Sequence, residues 1–130
     1  MNERRVVITG IGCISPLGND LETTWDGLKA GRSGISRISQ LDPEPFDCKI
    51  AGEIKDFNAD GYFGVPKDAR RSDRYVQLAV AASKMAMEDC GIDISTIDSR
   101  RFGVMVGSGI GGLATLEREH TTYMTKGTKR

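Results

Sequence analysis

Gly107-x-Gly109-x-x-Gly112 follows an apolar run and precedes a helical pattern, the context in which a glycine loop cradles phosphate. Four glycines fall within residues 107–112, interrupted by Ser108 and Ile110, so the backbone can take positive φ and let a ligand or another backbone come close. A dinucleotide site also requires a further strand, and an acid about 20 positions on for the ribose. That zone, Lys126 to Arg130, contains no acid. The other cluster, Gly10-x-Gly12, runs into Ile14-Ser15-Pro16, where a prolyl nitrogen removes a donor that a row of N–H groups would need.

Nucleophilic chemistry has few candidates. Cys13 follows an apolar run, Cys48 sits in an expected edge strand and Cys90 precedes the helix-ending Gly91. None stands where a helix N-terminus would stabilise a thiolate, so all three read as small packing residues. The lone histidine, His120, falls between Glu119 and Thr121 on a helical pattern and has no partners for a triad. The basic residues offer more: Lys67, Arg70, Arg71 and Arg74 fall at i, i+3, i+4 and i+7, one helical face. Asp68 and Asp73 lie off that face, and Lys126, Lys129 and Arg130 form a second cluster. Such residues are either a solvated helix side or a grip for an acidic protein or phosphate group. Nucleic acid fits poorly, since no aromatic residues are interleaved to stack bases.

The elements that must position these groups follow from periodicity. Val6-Val7-Ile8 and residues 102–106 are apolar without alternation, which predicts short strands covered on both faces and an α/β class. From Asp20, Leu21, Trp25 and Leu28 recur at helical spacing up to Gly31, predicting a helix whose Trp25 packs on the sheet. Residues 31–46 read as an irregular connection and 48–54 as the edge strand. Pro66 suits a first helical position, and the pattern continues through residues 72–90, apolar nearly all round and expected to be buried. Residues 92–99 form a polar connection, and Leu113, Leu116, His120 and Tyr123 predict a last helix over 112–124.

Composition bounds the function classes. With 18 Lys+Arg against 18 Asp+Glu, no global field draws the chain to nucleic acid or membrane, and any electrostatic partner must meet a local patch. Three widely spaced cysteines form neither a disulfide framework nor a metal-ligand pair, and a reducing cytoplasm fits them. No stretch approaches the roughly 18 apolar residues of a membrane span. A 130-residue chain is the size of one domain, yet two buried strands and a buried helix would leave much apolar surface uncovered, as expected of the front part of a larger enzyme.

Several motifs together resemble a known family. Val6-Val7-Ile8-Thr9-Gly10-Ile11-Gly12 with Ser15-Pro16-Leu17-Gly18, then Trp25 and Gly31-Arg32-Ser33-Gly34-Ile35, then Val106-Gly107-Ser108-Gly109-Ile110-Gly111-Gly112, look like the N-terminal part of a β-ketoacyl-acyl-carrier-protein synthase. The Gly-Ser-Gly-Ile-Gly-Gly form is most similar to the synthase II type of bacterial fatty acid synthesis. The resemblance implies a thiolase-like layered α/β/α/β/α fold, of which residues 1–130 would cover most of the first half, and a homodimer without cofactor. It implies an acyltransferase that condenses an acyl thioester with malonyl-acyl-carrier protein, its catalytic cysteine and histidines lying beyond Arg130, so that residues 1–130 alone would be inactive.

Within these residues the resemblance makes Gly109, Ile110 and Gly111 the wall of the acyl pocket. It makes Lys67, Arg70, Arg71, Lys129 and Arg130 the docking surface for the acidic carrier protein. Three readings stand: a condensing enzyme, a catalytically silent chain-length-factor-type subunit of a polyketide synthase, and a dinucleotide-binding domain. A cysteine in an Ala-Cys-Thr-Ser-like setting downstream would favour the first, glutamine in its place the second, and a bound dinucleotide the third.

Overall fold

The computed structural model describes residues 4–128. Helix α1, Leu21–Lys29, starts where Asp20 accepts the Thr23 N–H at 2.7 Å and the Thr23 hydroxyl at 2.8 Å. These bonds, the backbone one first, hold the Asp20 carboxyl below its ordinary pKa. The helix ends in a Schellman motif: Gly31 takes φ +64°, its N–H reaches the Leu28 carbonyl at 3.0 Å, and the Arg32 N–H reaches Gly27 at 2.9 Å. The inward side of α1 is made of small residues, the buried Thr24 and Gly27. The Thr24 hydroxyl donates to the Gly18 carbonyl at 3.2 Å and lies 2.9 Å from the Ser15 hydroxyl, tying α1 to the turn closed by reciprocal Ser15–Gly18 backbone bonds. Trp25, expected to pack the helix onto a sheet, is instead 57% exposed, because it points away from the Thr24–Gly27 side.

Strands β1, Ser36–Arg37, and β2, Ile50–Ala51, pair antiparallel with Ser36 opposite Ala51. The expected edge strand is therefore present but short, and its partner lies in the stretch expected to be irregular. Beyond the pair, the buried Glu53 closes the connection: its carboxylate accepts the Ser39 hydroxyl at 2.7 Å, the Ser39 N–H at 3.0 Å and the Gln40 N–H at 3.1 Å. Those donors, the Ser39 hydroxyl foremost, push the Glu53 carboxyl below the ordinary glutamate range.

Helix α2, Pro66–Arg71, carries Pro66 in its first turn as expected. The pattern predicts one helix onward to Cys90, but Ser72 is extended at ψ 144° and α3, Arg74–Cys90, begins anew. Ser72 breaks the run because its hydroxyl donates to the Asp68 carbonyl at 2.8 Å while its N–H serves Asp68 and Ala69. Gln77 completes the cap from α3, donating to the carbonyls of Ala69 at 2.8 Å and Ser72 at 3.1 Å. The connection after α3 holds two 3-10 turns, Ile94–Thr96 and Ser99–Arg101, and α4 spans Leu113–Lys126.

The described residues form two compact units, one up to Asn58 with Ala81–Ile92 and one of Ala59–Val80 with the residues from Asp93 on. In the first, Gly10 and Gly12 lie directly on α3. A Cβ on Gly10 would stand 2.6 Å from the Cys90 Cβ, and one on Gly12 would stand 2.7 Å from the Ala86 nitrogen and 2.9 Å from the Ala82 carbonyl carbon. Two residues of extended chain rise about 6.6 Å, close to the ~5.4 Å between successive helical turns, so alternate glycines meet successive turns of α3. Beside them the Ile11 N–H donates to Asp89 at 2.8 Å.

Two strand expectations are corrected. Residues 6–8 and 102–106 are not paired into a sheet, and Val6 and Met105 are 89% and 98% exposed. A strand exists by its neighbours' hydrogen bonds, and among the described residues none lies beside these segments in a ladder. For the same reason α3 is half-buried rather than fully enclosed, with Ala81 at 0% exposure its one buried residue.

Two measurements follow. Gly12→Ala should destabilise the protein by about 1–3 kcal/mol, read as a lower urea midpoint with unchanged slope; an unaltered midpoint would contradict the close approach. Because the Glu53 carboxyl is depressed in the folded state, its contribution is fully present above the ordinary glutamate value of the unfolded chain and is lost as pH falls through the folded value. Glu53→Gln should thus be less stable at neutral pH, its deficit narrowing on acidification, and parallel pH curves for the two proteins would count against this account.

Candidate functional site

The cations of α2 and the glycine loop before α4 belong to the same unit. On α2, Ala69 is buried; at 3.6 residues per turn Lys67 and Arg71 fall roughly 40° apart on the opposite side, with Arg70 flanking. All three are exposed, and none forms an ion pair with a described residue. Arg74, expected on the same continuous face, belongs to α3 because the Ser72 break intervenes, and its guanidinium reaches Gln77 Oε1 at 3.3 Å. Of the second basic cluster, Lys126 ends α4, while Lys129 and Arg130 lie outside the described residues.

The glycine loop is built from both side-chain and backbone constraints. Gly111 takes φ +79°, donates its N–H to the Ser108 hydroxyl at 3.1 Å, and a Cβ on it would meet the Tyr75 ring at 3.9 Å. Gly112, which precedes α4, has φ −86°, a conformation open to any residue, yet a Cβ there would overlap the Asp73 carboxylate. Asp73 also accepts the hydroxyl of Thr115, in the first turn of α4, and Arg118 Nη2 lies 3.3 Å from the same hydroxyl. Thus the place where a nucleotide phosphate would meet the helix N-terminus holds a carboxylate of the chain itself, which speaks against the dinucleotide reading.

Nothing described stands within 4 Å of a Cβ on Gly107 or Gly109. Ile110, between Gly109 and Gly111, is 77% exposed. The predicted pocket residues Gly109, Ile110 and Gly111 are consecutive in this loop, and the cations of α2 precede Asp73, which touches the loop's end. Sequence reasoning missed Asp73, although an aspartate just after a serine and before a long helix is a capping signal.

The remaining candidates are structural. Cys13, Cys48 and Cys90 are free thiols; Cys48 precedes β2, and Cys90, the last residue of α3, directs its sulfur to the Met87 carbonyl at 3.1 Å. His120 is exposed on α4. Among the described residues no group of three His, Cys, Asp or Glu is arranged for a metal ion, and no helix is long and apolar enough to cross a membrane. An open apolar cavity of about 510 Å³, lined by Ile11, Leu21, Glu22 and Trp25, lies in the first unit.

Comparison with known proteins places this loop and helix pair in a family. Residues 3–130 match the family described as Beta-ketoacyl synthase, N-terminal domain, and the chain belongs to it. It is 45% identical over 98% of its length to a 3-oxoacyl-[acyl-carrier-protein] synthase 2 of Staphylococcus aureus (strain COL), and 42% identical over its whole length to the protein so named in Vibrio cholerae. The chain spans about 30% of the length of these curated relatives. Among solved structures it is similar to the ishigamide ketosynthase/chain length factor (34% identity, TM-score 0.74, covering 95% of this chain and 30% of that one). It is also similar to the AntDE:AntF complex, a type II polyketide synthase acyl-carrier protein with its ketosynthase bound to the hexaketide (31% identity, TM-score 0.71, 98% and 28%). The fold is that of these ketosynthases, thiolase-like and α/β, over the part the chain covers.

Proposed function

We propose that the chain is the N-terminal part of a 3-oxoacyl-acyl-carrier-protein synthase of the synthase II type. The observation that carries this is 42–45% identity to such synthases along nearly the whole chain. The reaction is a decarboxylative condensation. An acyl group passes from its carrier thioester to an enzyme cysteine, releasing the carrier thiol. Malonyl-acyl-carrier protein loses CO₂, and the resulting carbanion attacks the acyl thioester, giving the β-ketoacyl carrier thioester and the free cysteine. Cys13, Cys48 and Cys90 are not that cysteine; residues 1–130 supply the docking cations and the loop that bounds the acyl chain, and alone do not catalyse. The complete enzyme works as a homodimer in a reducing, cytoplasmic setting without a cofactor.

Carrier docking rests on Lys67, Arg70 and Arg71, exposed and without ion-pair partners among the described residues, joined by Lys129 and Arg130. The AntDE:AntF relative is itself a ketosynthase in complex with its acyl-carrier protein. A second reading, a silent chain-length-factor-type subunit, is favoured by the ketosynthase/chain length factor relative; glutamine in place of the nucleophilic cysteine would decide for it.

Reversing charge with Arg70→Glu and Arg71→Glu in the complete enzyme should raise KM for the carrier protein about tenfold or more and flatten its salt dependence, with kcat retained. Unchanged kinetics would return these residues to a solvated helix side. Ile110→Phe should shorten the acyl chains accepted, since the ring fills space that methylenes need; undiminished elongation of long primers would remove Ile110 from the pocket wall.

A further inference from the structure

We propose that Asp73 is a positioning residue that fixes the glycine loop of residues 107–112 to the α2–α3 junction, and through Ile110 sets which acyl chains fit. The inference rests on the condensing-enzyme reading for its consequence, and on geometry for its substance. Asp73 follows Ser72 directly after the last cation of α2, Arg71, and its main-chain carbonyl accepts the Gln77 N–H at 3.1 Å in the first turn of α3. Its backbone is thereby committed to α3. One carboxylate oxygen accepts the Thr115 hydroxyl, and the other occupies the space beside Gly112 that a Cβ would need. The carboxylate thus touches both the residue that ends the loop and the first turn of the helix behind it. Arg118 reaches the same Thr115 hydroxyl from one turn further on, which aligns that hydroxyl's proton toward Asp73.

The loop has few other restraints. The Ser108–Gly111 bond is internal to it, a Cβ on Gly111 would only reach van der Waals range of the Tyr75 ring, and among the described residues nothing stands within 4 Å of a Cβ on Gly107 or Gly109. A chain of glycines has large conformational freedom, so an Ile110 side chain hung from it has a defined place only while its C-terminal end is pinned. The negative φ of Gly112 does not by itself call for glycine; the atoms nearest to a Cβ there are those of the Asp73 carboxylate. The glycine and the aspartate are therefore one device, and substitutions at the two sites must be coupled.

The test uses the complete enzyme with Asp73→Ala, Asp73→Asn, Thr115→Val, Gly112→Ala and the double variant Asp73→Ala/Gly112→Ala. The first measurement is amide hydrogen exchange. Asp73→Ala and Gly112→Ala should each speed exchange over residues 107–116 about tenfold while α2 keeps its protection, and Asp73→Asn, which retains an acceptor for Thr115, should lie between them and wild type. The double variant should exchange no faster than Asp73→Ala, because removing the carboxylate makes room for the new methyl group. The second measurement is the ratio of kcat/KM for long and short acyl primers, expected to change about tenfold in Asp73→Ala and Thr115→Val, with KM for the carrier protein unchanged. Wild-type exchange in Asp73→Ala, or additive effects in the double variant, would overturn the proposal; so would loosened exchange with an unchanged primer ratio. If wild type elongates no acyl-carrier primer while exchange behaves as expected, the condensing-enzyme reading fails, the anchor stands, and the acyl-selecting part of the proposal is refuted with it.

Discussion

The first unit depends on how closely the segment of residues 10–12 approaches α3. With hydrogen in place of a side chain at Gly10 and Gly12, main chain rests on main chain at Ala82, Ala86 and Cys90. The attraction between so many atoms at short range is large although each pair contributes little. From that seat the chain proceeds to the Ser15–Gly18 turn, and the turn holds α1 through Thr24. Pro16 in the same turn is itself flanked by glycines: a Cβ on Gly34 or Gly52 would come within 2.9 and 3.1 Å of its ring. Glycines recur where backbone meets the α3 backbone or the Pro16 ring, while the α1 junction is made by the hydroxyls of Ser15 and Thr24.

The second unit uses polar groups where the first uses the lack of side chains. Ser72, Asp73 and Gln77 serve the end of α2 and the starts of α3 and α4. None of these groups is a candidate for bond making. Their effect is positional: they tie α2, which carries Lys67, Arg70 and Arg71, to α3, and α3 to the end of the glycine loop.

What the sequence made legible was what local physics decides. Asp20 and Gly31 bounded α1, Pro66 opened α2, and Gly91 closed α3, since caps and breakers act within a few residues. The family was legible from several motifs taken together, and the match of residues 3–130 bears it out. The helix break at Ser72 was not, because the basic period of Lys67, Arg70, Arg71 and Arg74 runs through it, and the hydrogen bonds from Gln77 and to Asp68 that make the break are visible only in the fold. The strands at 6–8 and 102–106 were misjudged because β-branched runs report a preference for a sheet, whereas pairing depends on distant segments. The missing acid at residues 126–130 already weakened Gly107-x-Gly109-x-x-Gly112 as a cradle in the sequence; that the anion at Gly112 is Asp73, 39 positions earlier, was not legible there, because no local pattern links the two.

Helix α2 has six residues, far too few to persist by its own hydrogen bonds. It is held by the Gln77 amide at one end and by the Asp60–Tyr62 turn packed against it. The backbone beneath Lys67, Arg70 and Arg71 is consequently ordered before anything binds. An acidic partner meeting these cations would need to quench only side-chain rotamers, not a loop, and the entropy lost on association would be correspondingly small.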